Sequence, residues 1–297
     1  MFDYRRSRSR LTQVTFFTSR FRTASKLFFT NLVSFNMSIL LKFLVLHWPF
    51  RFLKGRLLNK LIASAPALKG DFTCCLENGE KLELRHEEEL GRVISVLGTY
   101  EPGELKYIRE VLRPGDSVFD VGANIGVFSI VMATSVGDQG YVYSVEPHPR
   151  NIDRIHGHIR TNNLNNIQVF GVAAGSVAGQ LNLVSGDDAA YASMENSTEL
   201  LGVDPTGKQS ISVSVQTLDS IWKNLGSPSI KLVKIDVEGA ELSVLKGSSQ
   251  VLKECKPIIL IEANDFSHLE RIKVELSLYD YICEAPRSFM KYNYLFK

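Results

Sequence analysis

The run Val118-Phe119-Asp120-Val121-Gly122-Ala123-Asn124-Ile125-Gly126-Val127-Phe128-Ser129 constrains this chain more than any other. Val118, Phe119 and Val121 are strong β formers and predict a short buried strand. Gly122 and Gly126 bracket a tight turn, where a missing side chain lets the backbone approach a ligand. The helix that follows offers unpaired N–H groups at its start. Asp120 is expected to end the strand, at the edge where open α/β sheets place their ligand sites. Strand, glycine turn and helix together predict a nucleotide or nucleoside site.

What surrounds this run is an alternation of βα units. A second strand, Tyr141 to Val145, ends in Glu146-Pro147-His148-Pro149, and its helix carries Ile152, Ile155 and Ile159. A third runs from Ile167 to Val172 and ends in Ala173-Ala174-Gly175. A fourth, Lys231 to Asp236, is followed by Val237-Glu238-Gly239 and a helix from Ala240 to Cys255. The fifth, Pro257 to Ile261, ends in Glu262-Ala263-Asn264. Ser267 and Glu270 then have capping-box spacing, before a helix with Leu269, Ile272 and Leu276. Tyr281 to Glu284 and Tyr292 to Phe296 predict a closing antiparallel pair. Such alternation implies a mostly parallel sheet with right-handed crossovers.

One crossover departs from the pattern. Gln180 to Val184 and Ser210 to Val215 are β-like and joined by a polar stretch with Gly186, Gly202, Pro205 and Gly207. A β insertion over about 176–216 is expected, with a lid at about 185–209. Before the first strand, Phe72 to Leu76 and Lys81 to Leu84 flank Asn78-Gly79, a hairpin signal. His86 to Leu97 and Pro102 to Leu112 predict helices, so residues 71–113 form a cap on a domain at 114–297.

Charge divides the chain. The net charge is +2, yet between Asp3 and Asp71 there are 13 basic residues and no acid, and the remainder carries 21 basic against 31 acidic residues. A basic leader over 1–70 precedes an acidic body, which argues against nucleic acid as the body's partner. Residues 1 to 36, rich in Arg, Ser, Thr and Phe, fit an organellar transit segment, a tail, or a start upstream of a true first residue at Met37. The apolar run from Met37 to Leu46 is shorter than the ~20 residues of a bilayer span. Phe50, Leu53, Leu57 and Leu61, interleaved with Arg51, Lys54, Arg56 and Lys60, predict a basic amphipathic helix. Residues 37–62 could rest on an anionic membrane or pack on the domain with the basic face in water. A cytoplasmic protein, peripheral to a membrane, is therefore one expectation and organellar import another. Cys74, Cys75, Cys255 and Cys283 show no C-x-x-C spacing, so neither a zinc site nor a disulfide framework is indicated.

The parallel sheet brings Asp120, Glu146, Ala173-Ala174, Asp236-x-Glu238 and Glu262 to one edge, and a shared site is expected there. Glu146 follows Gly126 by 20 residues, the place of an acid that accepts both ribose hydroxyls of a bound nucleoside. The glycine pattern is D-x-G-x-x-x-G, not G-x-G-x-x-G, which disfavours a dinucleotide and an NAD-dependent oxidoreductase. A smaller cationic nucleoside such as S-adenosylmethionine fits better, with Asp120 and its neighbours facing the amine and sulfonium.

At these residues a family resemblance enters. VFDVGANIGVFS, VEPHP, VQTLDSIW, KLVKIDVEGAELSVLKG and IILIEAN, in this order, resemble the FkbM-type S-adenosylmethionine-dependent methyltransferases over about residues 98–285. The resemblance implies an α/β class I methyltransferase (Rossmann-like) fold, with a seven-stranded, mostly parallel sheet whose last strand is antiparallel. It implies methyl transfer, usually to a hydroxyl oxygen of a sugar or natural product. Carried onto this chain, it makes Asp120, Gly122, Ala123, Asn124 and Gly126 the cofactor loop and Glu146 the ribose acid, with Pro147 beside it. Ala173 and Ala174 flank the adenine, and Asp236 sits where the methionine end meets the reacting centre. Glu101, before the first cap helix, and His148 are further candidate cofactor contacts; a helix-start acid and a solvated loop histidine are the plainer readings.

A hydroxyl acceptor must lose its proton, so a carboxylate, histidine or metal is needed nearby. Asp236, Glu238 and Glu262 are the candidates, with Lys234, of the same strand parity, holding the Asp236 charge. The same three acids could instead ligate Mg²⁺, or serve only to pair and cap. A membrane-docked nucleoside-binding module without turnover is the alternative to an enzyme.

Overall fold

The computed structural model describes residues 70–185, 192–194, 210–286, 288–290 and 292–297. The predicted leader, the amphipathic segment at 37–62 and nearly all of the 185–209 lid lie outside them. Among the described residues no helix is long and apolar enough to cross a membrane.

The chain opens with the antiparallel hairpin β1 (Asp71–Cys75) and β2 (Lys81–Arg85). Its turn places Gly79 at φ 88°, in the left-handed region that glycine tolerates. Helices α1 (Glu89–Leu97) and α2 (Pro102–Val111) follow. α1 starts three residues later than predicted, because His86 to Glu88 turn the chain out of β2 and Glu88 is its N-cap; Pro102 opens α2 at a position that needs no N–H donor.

The main sheet is built from β3 (Ser117–Val121), β4 (Tyr141–Val145), β5 (Ile167–Phe170), β10 (Leu232–Ile235), β11 (Ile258–Glu262), β12 (Cys283–Glu284) and β13 (Asn293–Phe296). Its order is β12-β13-β11-β10-β3-β4-β5. β10 pairs in parallel with both β3 and β11, and β13 runs antiparallel to β11. The connecting helices are α3 (Val127–Val136), α4 (Pro149–Thr161), α5 (Leu218–Asn224), α6 (Glu241–Lys246), α7 (Ser249–Glu254) and α8 (Phe266–Ser277).

Strand alternation sorts the core into two layers. Phe119, Val121, Tyr143, Val145, Val233 and Ile235 pack with α5, α6, α7 and α8. Val118, Val142, Leu232 and Leu260 pack on the other face with α2, α3 and the hairpin. That second face also carries a polar row. Lys234 is in register with Asp120, and Asp120 with Ser144.

Three expectations are corrected. The third strand, expected to run to Val172, is shorter. It stops at Phe170, and β6 (Ala173–Ala174) leaves the main sheet to pair in parallel with β9 (Ser210–Gln216). β9 also pairs antiparallel with β7 (Gly179–Ser185), which pairs with β8 (Ala192–Met194), making a separate four-stranded sheet. The helix predicted from Ala240 to Cys255 is two helices broken at Gly247. A Cβ on Gly247 would lie 2.0 Å from the Gly175 carbonyl oxygen, so the chain narrows to backbone there. Finally, α8 is capped by Asp265, whose side chain accepts the His268 N–H, and not by Ser267.

Candidate active site

A cleft opens above the C-terminal ends of β3, β4, β10 and β11. Gly122, Asn124, Glu146, Pro147, Ala173 and Ala174 line one end, and Glu101, Asp236, Glu238 and Glu262 line the other. Three of the non-glycine residues with positive φ lie on this wall: Glu101 at 36°, Asn124 at 51° and Glu238 at 54°. Such backbone costs on the order of 1–3 kcal/mol per residue and gathers where function requires it.

The glycine turn is held by Glu146. Its Oε2 accepts the Asn124 N–H at 2.8 Å, and its Oε1 accepts the His148 N–H at 2.9 Å and the Asn151 side-chain amide at 3.1 Å. Burial pushes the Glu146 carboxyl up to about 7, against the pull of those three donors. Gly122 sits at φ 80°, and a Cβ on it would lie 1.8 Å from the Asp236 carbonyl oxygen. The turn thus packs backbone to backbone on the loop that carries the acids.

Four predicted cofactor contacts are elsewhere. Asp120 is inside β3, not at its end, and is fully buried beneath the turn. Its Oδ2 accepts the Ser129 hydroxyl at 2.6 Å, and Ser144 donates to Ser129 at 2.8 Å. Its parity is that of Val118, so it faces α3 and cannot meet an amine in the cleft. Burial raises its carboxyl, with Lys234 opposing. Ala123 and Gly126 are absent from the wall; a Cβ on Gly126 would meet Ile155 at 3.0 Å. His148 is 2% exposed, neither solvated nor facing the cleft. Its Nδ1 accepts the Arg150 N–H and caps α4.

At the acid end Lys234 donates to Asp236 Oδ2 at 3.0 Å, as strand parity predicts. Its Nζ also lies 4.4 Å from the centre of the Phe128 ring. Burial works to lower the Lys234 pKa, but Asp236, Asp120 and Glu101 outweigh it and hold the ammonium. Burial works to raise the Asp236 carboxyl, yet Lys234 and a hydrogen bond from Glu262 keep it below the usual range. Glu262 is displaced the other way, first by burial and then by the Asp236 charge, and stays protonated. Glu101 is raised by burial and by Glu104 and Asp236. Glu238 stands apart. Solvent reaches it, and partial desolvation, Asp236 and Glu241 push it up to about 7.

Sequence reasoning missed Glu89, Leu90, Val93, Tyr100, Asn151 and Leu183, which also line the cleft. Glu89, Leu90 and Val93 share one side of α1, a helical spacing visible in the sequence, though nothing there aims that side at the sheet. Asn151 is five residues after Glu146 and its contact depends on α4 folding back.

The strand order, with one antiparallel strand inside an otherwise parallel sheet and a cleft over its central strands, is that of a class I methyltransferase fold. The family model described as "Methyltransferase FkbM domain" matches residues 120–283, more than half of the sequence, and the chain belongs to this family. The hexuronic acid methyltransferase AglP of Haloferax volcanii is 26% identical over 174 residues, 58% of this chain and 66% of that protein. Methyltransferase 1 of Beauveria bassiana is 28% identical over 149 residues, 45% of this chain and 59% of that protein. The crystal structure of methyltransferase FkbM from Methylobacillus flagellatus is 20% identical, with a TM-score of 0.44, over 69% of this chain and 52% of that one. The chain thus spans less than two thirds of the length of these relatives.

Proposed function

We propose that this chain transfers the methyl group of S-adenosylmethionine to a hydroxyl oxygen of a sugar or similar small molecule. The observation that carries this reading is one cleft with two differently prepared ends. Glu146, pinned against the Asn124 N–H, serves a ribose; Asp236 supplies the negative charge that suits an ammonium and a sulfonium, and Glu101 lines the wall beside it. Ala173 and Ala174, with their small side chains, line the same cleft and suit a flat ring. When bound, the cofactor supplies an already activated methyl group, so the protein's work is alignment, exclusion of water and removal of one proton.

The three candidate acids separate by environment. Asp236 stays ionised under Lys234 and fixes charge. Glu262 keeps its proton and donates to Asp236, so it orients and does not accept. Glu238, with a pKa near neutrality, takes the proton of the acceptor hydroxyl. Oxygens of the three lie within 4.8 Å of one another, but the donor set does not fit Mg²⁺. Asp236 already accepts from the buried Lys234 ammonium at 3.0 Å, whereas a hard divalent ion needs oxygens free to bind and no cation beside them. The methyl acceptor of AglP, a hexuronic acid by its name, supports a sugar as the first acceptor class to test.

Isothermal titration of the purified protein with S-adenosylmethionine, followed by a screen of hydroxylated acceptors, tests the reading. Micromolar binding with methyl transfer is expected. Binding without turnover on any acceptor would favour a nucleoside-binding module, and loss of liposome binding on deleting residues 1–65 would add the membrane to it.

A further inference from the structure

Glu238 stands at the tip of the loop from Asp236 to Gly239, between β10 and α6. Its backbone is left-handed, and Gly239 follows at φ 104°. Non-glycine residues hold such a conformation only when their surroundings over-determine it. Here the restraint is Glu241, the first residue of α6. Its side chain turns back, and Oε1 accepts the N–H of Val237 at 3.2 Å and of Gly239 at 3.0 Å. The two amides that flank Glu238 are thus tied to one oxygen.

The other oxygen of the same carboxyl faces a different element. Glu241 Oε2 lies 3.3 Å from Nε2 of His268, and the two side chains are 2% and 6% exposed. The approach is a close polar contact and not an aligned hydrogen bond, and neither atom has a hydrogen-bond partner among the described residues. His268 is in the first turn of α8, where Asp265 Oδ1 accepts its backbone N–H at 2.7 Å. A line of contacts therefore runs from α8 through His268 and Glu241 to the loop on either side of Glu238. A carboxyl has one rotatable plane. The imidazole set against one oxygen restricts the rotation of that plane, and with it the aim of the other oxygen at both amides.

We propose that His268 is a positioning residue for Glu238, acting through Glu241. It sets the orientation of the carboxyl that pins Val237 and Gly239, and so holds Glu238 over the cleft. Neither His268 nor Glu241 hydrogen-bonds to Glu146 or Asn124, which are supported by the start of α4. The consequence for proton removal rests on the reading of Glu238 as the base; the mechanical link does not.

The full chain labelled with carboxyl-¹³C glutamate tests this, with Glu238→Gln assigning the resonance. Glu238 is expected to titrate near 7. In His268→Leu it should fall by about one pH unit as the loop relaxes into water, and amide exchange at Val237 and Gly239 should rise about tenfold. Amides of β10 should keep their protection. His268→Gln, whose side-chain amide can donate to the same oxygen, should restore both values. If His268→Leu does not fold, Glu241→Gln, which keeps the volume and weakens the hold, should raise amide exchange at Val237 and Gly239; the exchange alone is read in this variant, because the Glu241 charge itself raises Glu238. An unchanged Glu238 titration with unchanged exchange at the two amides would overturn the proposal, as would exchange that rises evenly through the chain. Titration with S-adenosylhomocysteine separates the two readings. It should bind wild type and the His268 variants within about twofold, and failure to bind wild type would count against the methyltransferase function and leave the positioning result standing.

Discussion

Lys234 and Asp236 lie two residues apart on one side of the chain, and the lysine Nζ donates to the aspartate Oδ2 at 3.0 Å. The same ammonium offsets the buried Asp120 in the neighbouring strand and Glu101 across the cleft. One cation therefore serves three acids drawn from three elements. Lys234→Met is expected to destabilise the protein by about 3–5 kcal/mol, because it leaves buried carboxylates without their partner. Urea unfolding at neutral pH measures this, and a loss below about 1 kcal/mol would mean that the pair behaves as a surface ion pair.

Glu146→Ala should weaken S-adenosylhomocysteine binding at least tenfold, since it removes the acceptor of the Asn124 N–H along with the ribose contact. Glu238→Ala should leave that affinity within about twofold. Equal losses in both would sink the division of the cleft into two ends.

Stability should depend on pH through Glu146. Its folded pKa of about 7 lies above that of the unfolded chain, so between the two values the folded state holds more protons. Stability is fully present below the unfolded value and is lost as pH rises through about 7, with a slope of up to about 1.4 kcal/mol per pH unit. Urea unfolding from pH 4.5 to 8 should show the decline in wild type and a flatter profile in Glu146→Gln.

Once an acceptor is in hand, kcat should rise with pH and level off above about 7, as Glu238 loses its proton. Glu238→Gln should lower kcat by about 10²–10⁴-fold and abolish that rise. A Glu238→Gln enzyme with the wild-type pH profile would move the base to another residue.

Gly122→Ala should disrupt both ends of the cleft. The added methyl meets the Asp236 carbonyl oxygen at 1.8 Å, on a backbone at φ 80°. Thermal unfolding should shift down and S-adenosylhomocysteine binding should be lost. Retention of both would mean that the turn and the acid loop move apart freely.

The parallel sheet was legible because each strand is a short apolar run closed by a distinctive turn, and Lys234 and Asp236 could be paired from parity alone. The same parity, applied to Asp120, places it under α3 with Val118; the sequence pattern at the turn drew it toward the ligand instead. His148 followed an acid and resembled a loop residue, and only the start of α4 at Pro149 makes its ring a cap. Glu101 lines the cleft because α2 packs across the sheet face, a tertiary arrangement that no local spacing encodes. The contact of His268 with Glu241 spans 27 residues and two helices, beyond the reach of any periodicity. Gln180 to Val184 and Ser210 to Val215 are strands, as their β-like pattern predicts, but the pairing of Ala173-Ala174 with β9 is a contact about 42 residues away that no local pattern encodes.

That pairing has a consequence for how such proteins can diversify. The two alanines that line the cleft pair with β9 and not with the main sheet, so this part of the wall belongs to the inserted module. A graft that exchanges the insertion to change the acceptor also exchanges the partner strand of that wall. Only a recombinant that keeps β9, and replaces chain between β7 and β9, leaves the pairing of that wall as it is.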